Sequence, residues 1–178
     1  FFQAEDGIRD ADNLTKELPR IPRVKSSEDF WAFSRAGREL AELHINYESV
    51  PMYPAKIDIS GSPVSYRVEK MKFGGRGKQK DQTTIIYNSQ ITVSGIPLEA
   101  YDYVVNGKSA IDWVMEWQAV KTHKASGIVN DANDWAIETM NNPKYPLELL
   151  LRVITVSVKT LKIVRSLPSL VVHEADLS

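Results

Sequence analysis

The sequence contains no cysteine among its 178 residues, which excludes disulfide bonds, thiolate zinc sites and cysteine nucleophiles. It has no apolar run of the roughly 18 to 20 residues that cross a bilayer, and its start lacks the basic-then-apolar order of a signal peptide. Charge of one sign is also missing, because 22 Lys plus Arg oppose 23 Asp plus Glu. With 43% hydrophobic residues, the chain can bury a core. We therefore expect one globular domain and, by default, a cytoplasmic location.

The predicted domain boundaries follow from local signals along the chain. Residues 1–10 have neither helical periodicity nor a capping signal, and we interpret them as a leader that is non-native or disordered. Residues 11–25 are predicted to form an extended linker, because Pro19 and Pro22 disfavour helix. The domain itself is placed at 26–168, and residues 169–178 are predicted to be a flexible tail.

Helices are predicted to dominate the domain. Ser26 is a hydroxyl cap before an apolar periodic stretch, which predicts a helix from about Glu28 to about Tyr47. Pro146 is predicted to open the longest helix, which Leu167-Pro168 closes. Its apolar stripe, from Leu147 to the stem of Arg165, is predicted to form the centre of the core. Two short helices are expected after Pro97 and Ser109.

The remaining segments predict a small antiparallel sheet and several turns. Alternation or β-branched residues predict three strands, and Asn88-Ser89 suits a tight hairpin turn between the second and third. The strands are Ser65–Phe73, Thr83–Tyr87 and Gln90–Val93. Asn106-Gly107 is interpreted as a left-handed helix cap, and the segment Ser126–Asp134 as an ordered loop. The fold class is therefore α+β, a helix-dominated single domain with a small antiparallel sheet.

One segment concentrates positive charge. Between Tyr66 and Asp81, six basic residues oppose two acidic ones, for a local charge of +4. The bases are Arg67, Lys70, Lys72, Arg76, Lys78 and Lys80. Gly74 to Gln82 is predicted to be a flexible loop, since it contains three glycines. A solvated hairpin tip explains this composition; the other interpretation is contact with nucleic-acid phosphates, which such a patch attracts whatever the sequence.

Motifs for catalysis are absent or incomplete. His44, His123 and His173 lie too far apart to form a local metal-ligand pair, so we predict no metal site. Gly74 to Lys78 does not complete a phosphate-binding loop, because Gln79 stands where that loop needs a hydroxyl. Asn142 to Tyr145 only approximates the Asn-Pro-Pro-Tyr motif of amino-methyltransferases and is better explained as a turn.

The tryptophans are predicted to be mainly core residues. Trp31, Trp113 and Trp117 lie mostly on helical apolar faces, where packing is the simpler explanation, whereas Trp135 is flanked by polar residues and is a candidate surface anchor.

Several strings in a fixed order carry a family resemblance. They are Pro19-Arg20-Ile21-Pro22; Gly37 to Glu48; Ser94-Gly95-Ile96-Pro97 followed by Ala100 to Ala110; Gly127-Ile128-Val129-Asn130-Asp131; and Val153 to Val158. Together they resemble the C-terminal specificity domain of type ISP restriction-modification enzymes, the LlaBIII-like family. The resemblance spans roughly Leu18 to Pro168.

The resemblance implies a bacterial defence polypeptide that restricts unmodified DNA with ATP and methylates adenine. Its S-adenosylmethionine, ATP and Mg²⁺ are expected to bind upstream parts, which leaves this fragment without cofactors or catalytic residues of its own. Its partners are then double-stranded DNA and the upstream methyltransferase and helicase parts, and no membrane.

DNA contacts are assigned here by residue chemistry, because the family strings identify no base-contacting residue. The first set comprises Arg67, Lys70, Lys72, Arg76, Lys78 and Lys80. A second set occupies polar helix ends and loops: Asn106, Lys108, Lys121, His123 and Lys124. The alternative is a coupling domain that docks on the methyltransferase part with little DNA contact, since seven acids oppose three bases between Pro97 and Pro143. A complete small enzyme is disfavoured for want of an assembled site.

Overall fold

The structure is a computed structural model that describes residues 24–76 and 79–169. The predicted leader, the linker up to residue 23 and the tail from residue 170 lie outside the described residues. The described chain falls into two compact units, residues 24–46 with 159–169 and residues 47–158. Within the described residues, no helix combines the length and apolar character needed to cross a membrane.

The smaller unit contains helix α1, Ser27–Ile45. The Ser26 hydroxyl caps it by accepting hydrogen bonds from the Glu28 and Asp29 amides at 3.1 and 3.3 Å. The predicted start of this helix is therefore confirmed. Ala36 and Leu43 supply its buried side chains.

The larger unit is built on a four-stranded antiparallel sheet with strand order β1-β4-β3-β2. Its strands are β1 Lys56–Ile59, β2 Lys72–Arg76, β3 Gln79–Ile86 and β4 Ile91–Ser94. The predicted hairpin turn at Asn88-Ser89 is confirmed, since β3 and β4 pair across it with Ile85 opposite Val93. These two residues face the core and are fully buried.

Two small hairpins, two helices and the part of a third helix up to Val158 complete the larger unit. The hairpins are β5–β6, Val104–Val105 with Lys108–Ser109, and β7–β8, Lys121–Thr122 with Val129–Asn130. The helices are α2 Ala110–Trp117, α3 Ala132–Glu138 and α4 Tyr145–Arg165. Two 3-10 turns, Tyr47–Ser49 and Leu98–Asp102, precede β1 and β5. The fold is thus α+β, as predicted.

The core of the larger unit joins the sheet to α2 and α4. Leu150 and Ile154 of α4 are fully buried, which confirms that this helix lies at the centre of the core. The cluster comprises Val68, Met71, Ile85, Tyr87, Ile91, Val93, Ile96, Ala100, Ile111, Met115, Leu147, Leu150, Leu151 and Ile154.

The predicted strand Ser65–Phe73 is wrong over most of its length. Only Lys72 and Phe73 enter β2. Residues 65–70 form no ladder, and side chains instead bind backbone groups of residues 65–68. In a strand, Val68 and Met71 would lie on opposite faces because they are three residues apart, but both are buried in the core. The predicted flexible loop from Gly74 to Gln82 is also corrected, since most of it forms the β2–β3 hairpin; Gly77 and Lys78 lie outside the described residues.

Two other local predictions change in the same way. Asn106 and Gly107 have φ values of 50° and 78°, but they form the turn between β5 and β6 instead of a helix cap. The segment Ser126–Asp134 was expected to be a loop. Instead it contributes β8 and the start of α3, which Asp131 caps.

The tryptophan predictions are partly wrong. Trp31 and Trp117 are 52% and 70% exposed, so neither is a core residue. Trp113 is partly exposed, and its indole N–H donates to the Val105 carbonyl. Trp135 is 56% exposed, in agreement with a surface position.

Candidate nucleic-acid interface

A groove of about 500 Å³ lies in the larger unit between the segment before β2 and the β3–β4 turn. Three of the predicted contact residues, Arg67, Lys70 and Lys72, line one side of it. The whole lining is Ser65, Arg67, Glu69, Lys70, Lys72, Ile86, Tyr87, Asn88, Ser89 and Gln90. The fold therefore collects basic side chains beside polar turn residues.

Asn88 holds the two sides of the groove together. Its Nδ2 donates to the carbonyl oxygens of Ser65 and Arg67, both at 2.9 Å. Its Oδ1 accepts from the amides of Gln90 and Ile91, both at 2.8 Å. Because all four hydrogen-bonding positions of this amide are used, Asn88 positions the groove wall and has no capacity left for a ligand.

Gln90 and Tyr87 secure the same segment. Gln90 Oε1 accepts from the Ser65 amide at 2.8 Å, and its Nε2 donates to the Pro63 carbonyl at 3.1 Å. The Tyr87 hydroxyl donates to the Tyr66 carbonyl at 2.7 Å, and burial raises the pKa of this hydroxyl. Side chains of the β3–β4 hairpin thus bind the backbone of residues 65–67 in place of a paired strand.

Asn133, at the start of α3, supports the segment from the other side. Its Oδ1 accepts from the Val68 amide at 2.9 Å, and its Nδ2 donates to the Val68 carbonyl at 2.8 Å. The Asn133 side chain thus binds both backbone groups of Val68, as a neighbouring β-strand would. Asn133 is only 4% exposed, so these bonds are shielded from water.

Arg67 is enclosed by two carboxylates. Its Nε donates to Glu69 Oε1 and its Nη2 to Asp131 Oδ2, both at 2.6 Å. Burial acts to raise the pKa of Asp131, but hydrogen bonds from Arg67 and Asn133 lower that pKa below its usual value. The three charges sum to −1, so Arg67 adds no positive potential here.

The other basic residues of the first set are not neutralised. Lys70, Lys72 and Arg76 form no ion pair within the described residues, and all three are exposed. Lys80 lies over the Phe73 ring at 5.8 Å from its centroid. Arg76 and Lys80 stand on the facing strands of the β2–β3 hairpin. Lys78 lies outside the described residues.

The second predicted set offers less unpaired positive charge than the first. Lys108 and Lys121 both bind Glu116, and Lys108 also lies 4.7 Å from the Trp113 centroid. His123 Nδ1 is 2.9 Å from the Ser126 hydroxyl. All five residues of this set are exposed; Asn106 lies in the β5–β6 turn and Lys124 in the β7–β8 connection.

Sequence reasoning missed Asn88, Gln90, Asp131 and Asn133 as positioning residues. The Asp-x-Asn pair at 131 and 133 was a usable signal, because an Asp before a short apolar stretch is typical of a helix cap. No local pattern shows that their partners lie at residues 65–68. Within the described residues, no group of three or more His, Asp or Glu could hold a metal ion.

Comparisons with known proteins agree on one family. Residues 9–149 match the type ISP C-terminal specificity domain. A nuclease-deletion mutant of the type ISP restriction-modification enzyme LlaGI, solved in complex with a DNA substrate mimic, is 44% identical with a TM-score of 0.77. That match covers 92% of this chain and 15% of the LlaGI chain.

Two further solved structures are similar. The ATP-dependent type ISP enzyme LlaBIII bound to DNA is 42% identical, with a TM-score of 0.79 over 96% of this chain and 10% of that one. The DrdV–DNA complex is 29% identical, with a TM-score of 0.66 over 90% of this chain and 16% of that one. A comparison with curated protein sequences finds no match.

The structure is a small α+β domain with a basic groove, and the solved structures that it resembles are much larger polypeptides. The chain spans 10 to 16% of the three solved chains. It belongs to the type ISP C-terminal specificity domain family.

Proposed function

We propose that this chain is the C-terminal part of the DNA target-recognition module of a type ISP restriction-modification enzyme. In this role it binds double-stranded DNA sequence-specifically for adenine methylation and ATP-dependent restriction, and it performs no catalysis itself. The observation that carries the proposal is the match, over 96% of this chain, to a LlaBIII structure that holds DNA. S-adenosylmethionine, ATP and Mg²⁺ then serve other parts of the polypeptide.

The charges of the groove support this function. Lys70 and Lys72 are exposed beside it and have no carboxylate partner within the described residues. Cations of this kind release condensed counterions when they meet phosphates, which favours binding to any DNA sequence. Arg76 and Lys80 extend the same charge along the hairpin. We therefore assign Lys70, Lys72, Arg76 and Lys80 to phosphate contact, with Lys78 as a sequence-based addition.

Neutralising two groove lysines tests the proposal. In the full polypeptide that carries this domain, Lys70→Gln with Lys72→Gln is expected to weaken DNA binding. The plot of log Kobs against log salt concentration has a negative slope, and the magnitude of this salt slope should fall by about 1.8, which is 0.9 for each lost phosphate contact. Fluorescence anisotropy of a labelled duplex at several salt concentrations measures this slope.

The matched control changes two lysines that are already paired. Lys108→Gln with Lys121→Gln removes the same charge, but both side chains bind Glu116. This control is expected to leave the slope unchanged. If the control lowered the slope and the groove variant did not, the second predicted set would be the phosphate-contacting one and our assignment would be wrong.

A coupling role is a second candidate, in which the domain docks on another part of the polypeptide and contacts little DNA. The observation that favours it is a group of exposed apolar residues in the region where acids outnumber bases. They are Leu98, Val104, Val105, Trp117, Ile128, Val129, Trp135 and Ile137. Contact with phosphates gains nothing from such residues, whereas a protein surface buries them favourably.

Replacing two of these side chains tests the coupling role. Ile128→Ser with Trp135→Ser in the full polypeptide should lower its melting temperature only if another part of the polypeptide covers this region, because both side chains are mostly exposed in the domain. Burial of two large apolar side chains is worth about 3–6 kcal/mol. Differential scanning fluorimetry measures the change. Ile45→Ser, at a 76% exposed position of the other unit, is the control.

A further inference from the structure

We propose that Arg67 is a specificity-determining residue that contacts the edge of a guanine in the bound duplex. This inference rests on the proposed DNA-binding function and deepens it. Arg67 then has a different role from the lysines with which it was placed in the first predicted DNA-contact set. The reasons are its charge balance, its fixed orientation and the donors that it keeps.

The charge balance argues against a phosphate contact. Glu69 and Asp131 each bind the guanidinium at 2.6 Å, so the trio carries a net charge of −1. A phosphate would meet two carboxylates beside the one cation, and little counterion release would follow. Lys70 and Lys72 line the same groove without such partners. We therefore assign phosphate contact to Lys70 and Lys72, and not to Arg67.

The orientation of Arg67 is set before any ligand binds. Asp131 is itself fixed, because its Oδ1 accepts from Asn133 N at 2.9 Å and from Asn133 Nδ2 at 2.6 Å. The Arg67 backbone is held by Asn88, which donates to its carbonyl oxygen at 2.9 Å. A side chain ordered on folding loses less entropy on binding, and a fixed guanidinium plane favours specific geometry over general attraction.

Three hydrogen-bond donors of Arg67 remain available. A guanidinium has five N–H donors, and the two ion pairs use one on Nε and one on Nη2. Both N–H groups of Nη1 and the second on Nη2 have no partner within the described residues, and the side chain is 47% exposed. Guanine presents two acceptors, O6 and N7, in the major groove, and a guanidinium binds them with two parallel hydrogen bonds. Adenine offers a donor in place of O6, so it is discriminated against.

Selection from a pool of DNA duplexes with a randomised segment tests the inference in the full polypeptide. Arg67→Lys keeps the positive charge and loses the planar fork. It is expected to reduce the preference for guanine at one position by about 5- to 150-fold, with the other positions unchanged. The salt slope should stay the same. Lys70→Gln is the matched variant, and it should lower the salt slope by about 0.9 while it leaves every base preference intact.

Three results would overturn the inference. They are unchanged preferences in Arg67→Lys, a salt slope lowered as in Lys70→Gln, and loss of preference at all positions together with a lower melting temperature. If Arg67→Lys does not fold, Glu69→Ala replaces it. That substitution removes the acceptor of Nε at an exposed position and keeps the Asp131 pair, so a partial loss of guanine preference at one position supports the inference, and no change contradicts it.

Failure of the inference can be told apart from failure of the proposed function. Replacing the whole domain by that of a relative should change the selected DNA sequence if the domain contributes to recognition. An unchanged sequence after this exchange would contradict the proposed function itself. A changed sequence, combined with unaltered preferences in Arg67→Lys, would contradict only the role of Arg67.

Discussion

Replacing Asn133 by alanine is expected to destabilise the domain by about 2–6 kcal/mol, because it leaves the amide and the carbonyl of buried Val68 without partners. Each unsatisfied buried polar group costs about 1–3 kcal/mol. Water does not replace these two hydrogen bonds in the native fold, since Asn133 is only 4% exposed. The segment that carries Arg67 should loosen as a result.

Urea unfolding followed by tryptophan fluorescence measures this loss as a lower midpoint at unchanged slope. Asn130→Ala is the matched control, because Asn130 is exposed and its side chain makes no hydrogen bond within the described residues. The control is expected to change stability by less than about 0.5 kcal/mol. Equal effects of the two substitutions would show that the Asn133 side chain is not the partner on which Val68 depends.

Gly75→Ala is expected to disrupt the β2–β3 hairpin at a cost of at least about 3 kcal/mol. Gly75 has a φ of +101°, which L side chains rarely adopt. A Cβ at this position would lie 2.1 Å from the Gln79 carbonyl oxygen and 2.9 Å from the Asp81 amide nitrogen. Both neighbours are backbone atoms, so relief requires the paired strand to move.

Gly107→Ala is the control for Gly75→Ala, because this position has a positive φ without a steric clash. Gly107 has a φ of +78° in the β5–β6 turn, but an added Cβ there meets nothing within 4 Å. Its substitution should cost only about 1–2 kcal/mol, the penalty of the left-handed conformation. Thermal unfolding compares the two variants. A loss at Gly75 no larger than that at Gly107 would show that the hairpin adapts without strain.

Disruption of the hairpin also has a functional consequence. Arg76 and Lys80 are carried by the two strands that Gly75→Ala separates. If these cations contact phosphates, the variant should lose DNA affinity in addition to stability. Its salt slope then reports whether the hairpin cations contribute beyond Lys70 and Lys72.

Local signals in the sequence predicted the elements that depend on neighbouring residues. Ser26 and Ser109 are helix caps as expected, and Ser109 accepts from the Asp112 amide at 3.0 Å. Asn88-Ser89 is the β3–β4 turn, and the apolar stripe of α4 lies in the core. Caps, turns and amphipathic stripes are specified within a few residues of chain, which is why pattern analysis finds them.

A local signal misleads where two kinds of structure require the same backbone conformation, as at Asn106-Gly107. A positive φ at Asn106 and Gly107 suits both a helix C-terminus and a tight hairpin turn. The hairpin prevails here because Val104 and Val105 pair with Ser109 and Lys108. Trp31 and Trp117 show a related limit, since a helical periodicity does not say which face another element will cover.

By itself, the sequence determined the α+β class, the family, the long core helix and the concentration of positive charge before β3. Only the tertiary structure decided which of those charges are free. Arg67 is bound by Asp131, 64 residues away, and Val68 by Asn133, 65 residues away, whereas Lys70 and Lys72 stay without a carboxylate partner within the described residues. The physical reason is that an ion pair or a buried amide bond depends on distance in space, and residues 65–70 acquire their partners only when α3 and the β3–β4 turn pack around them.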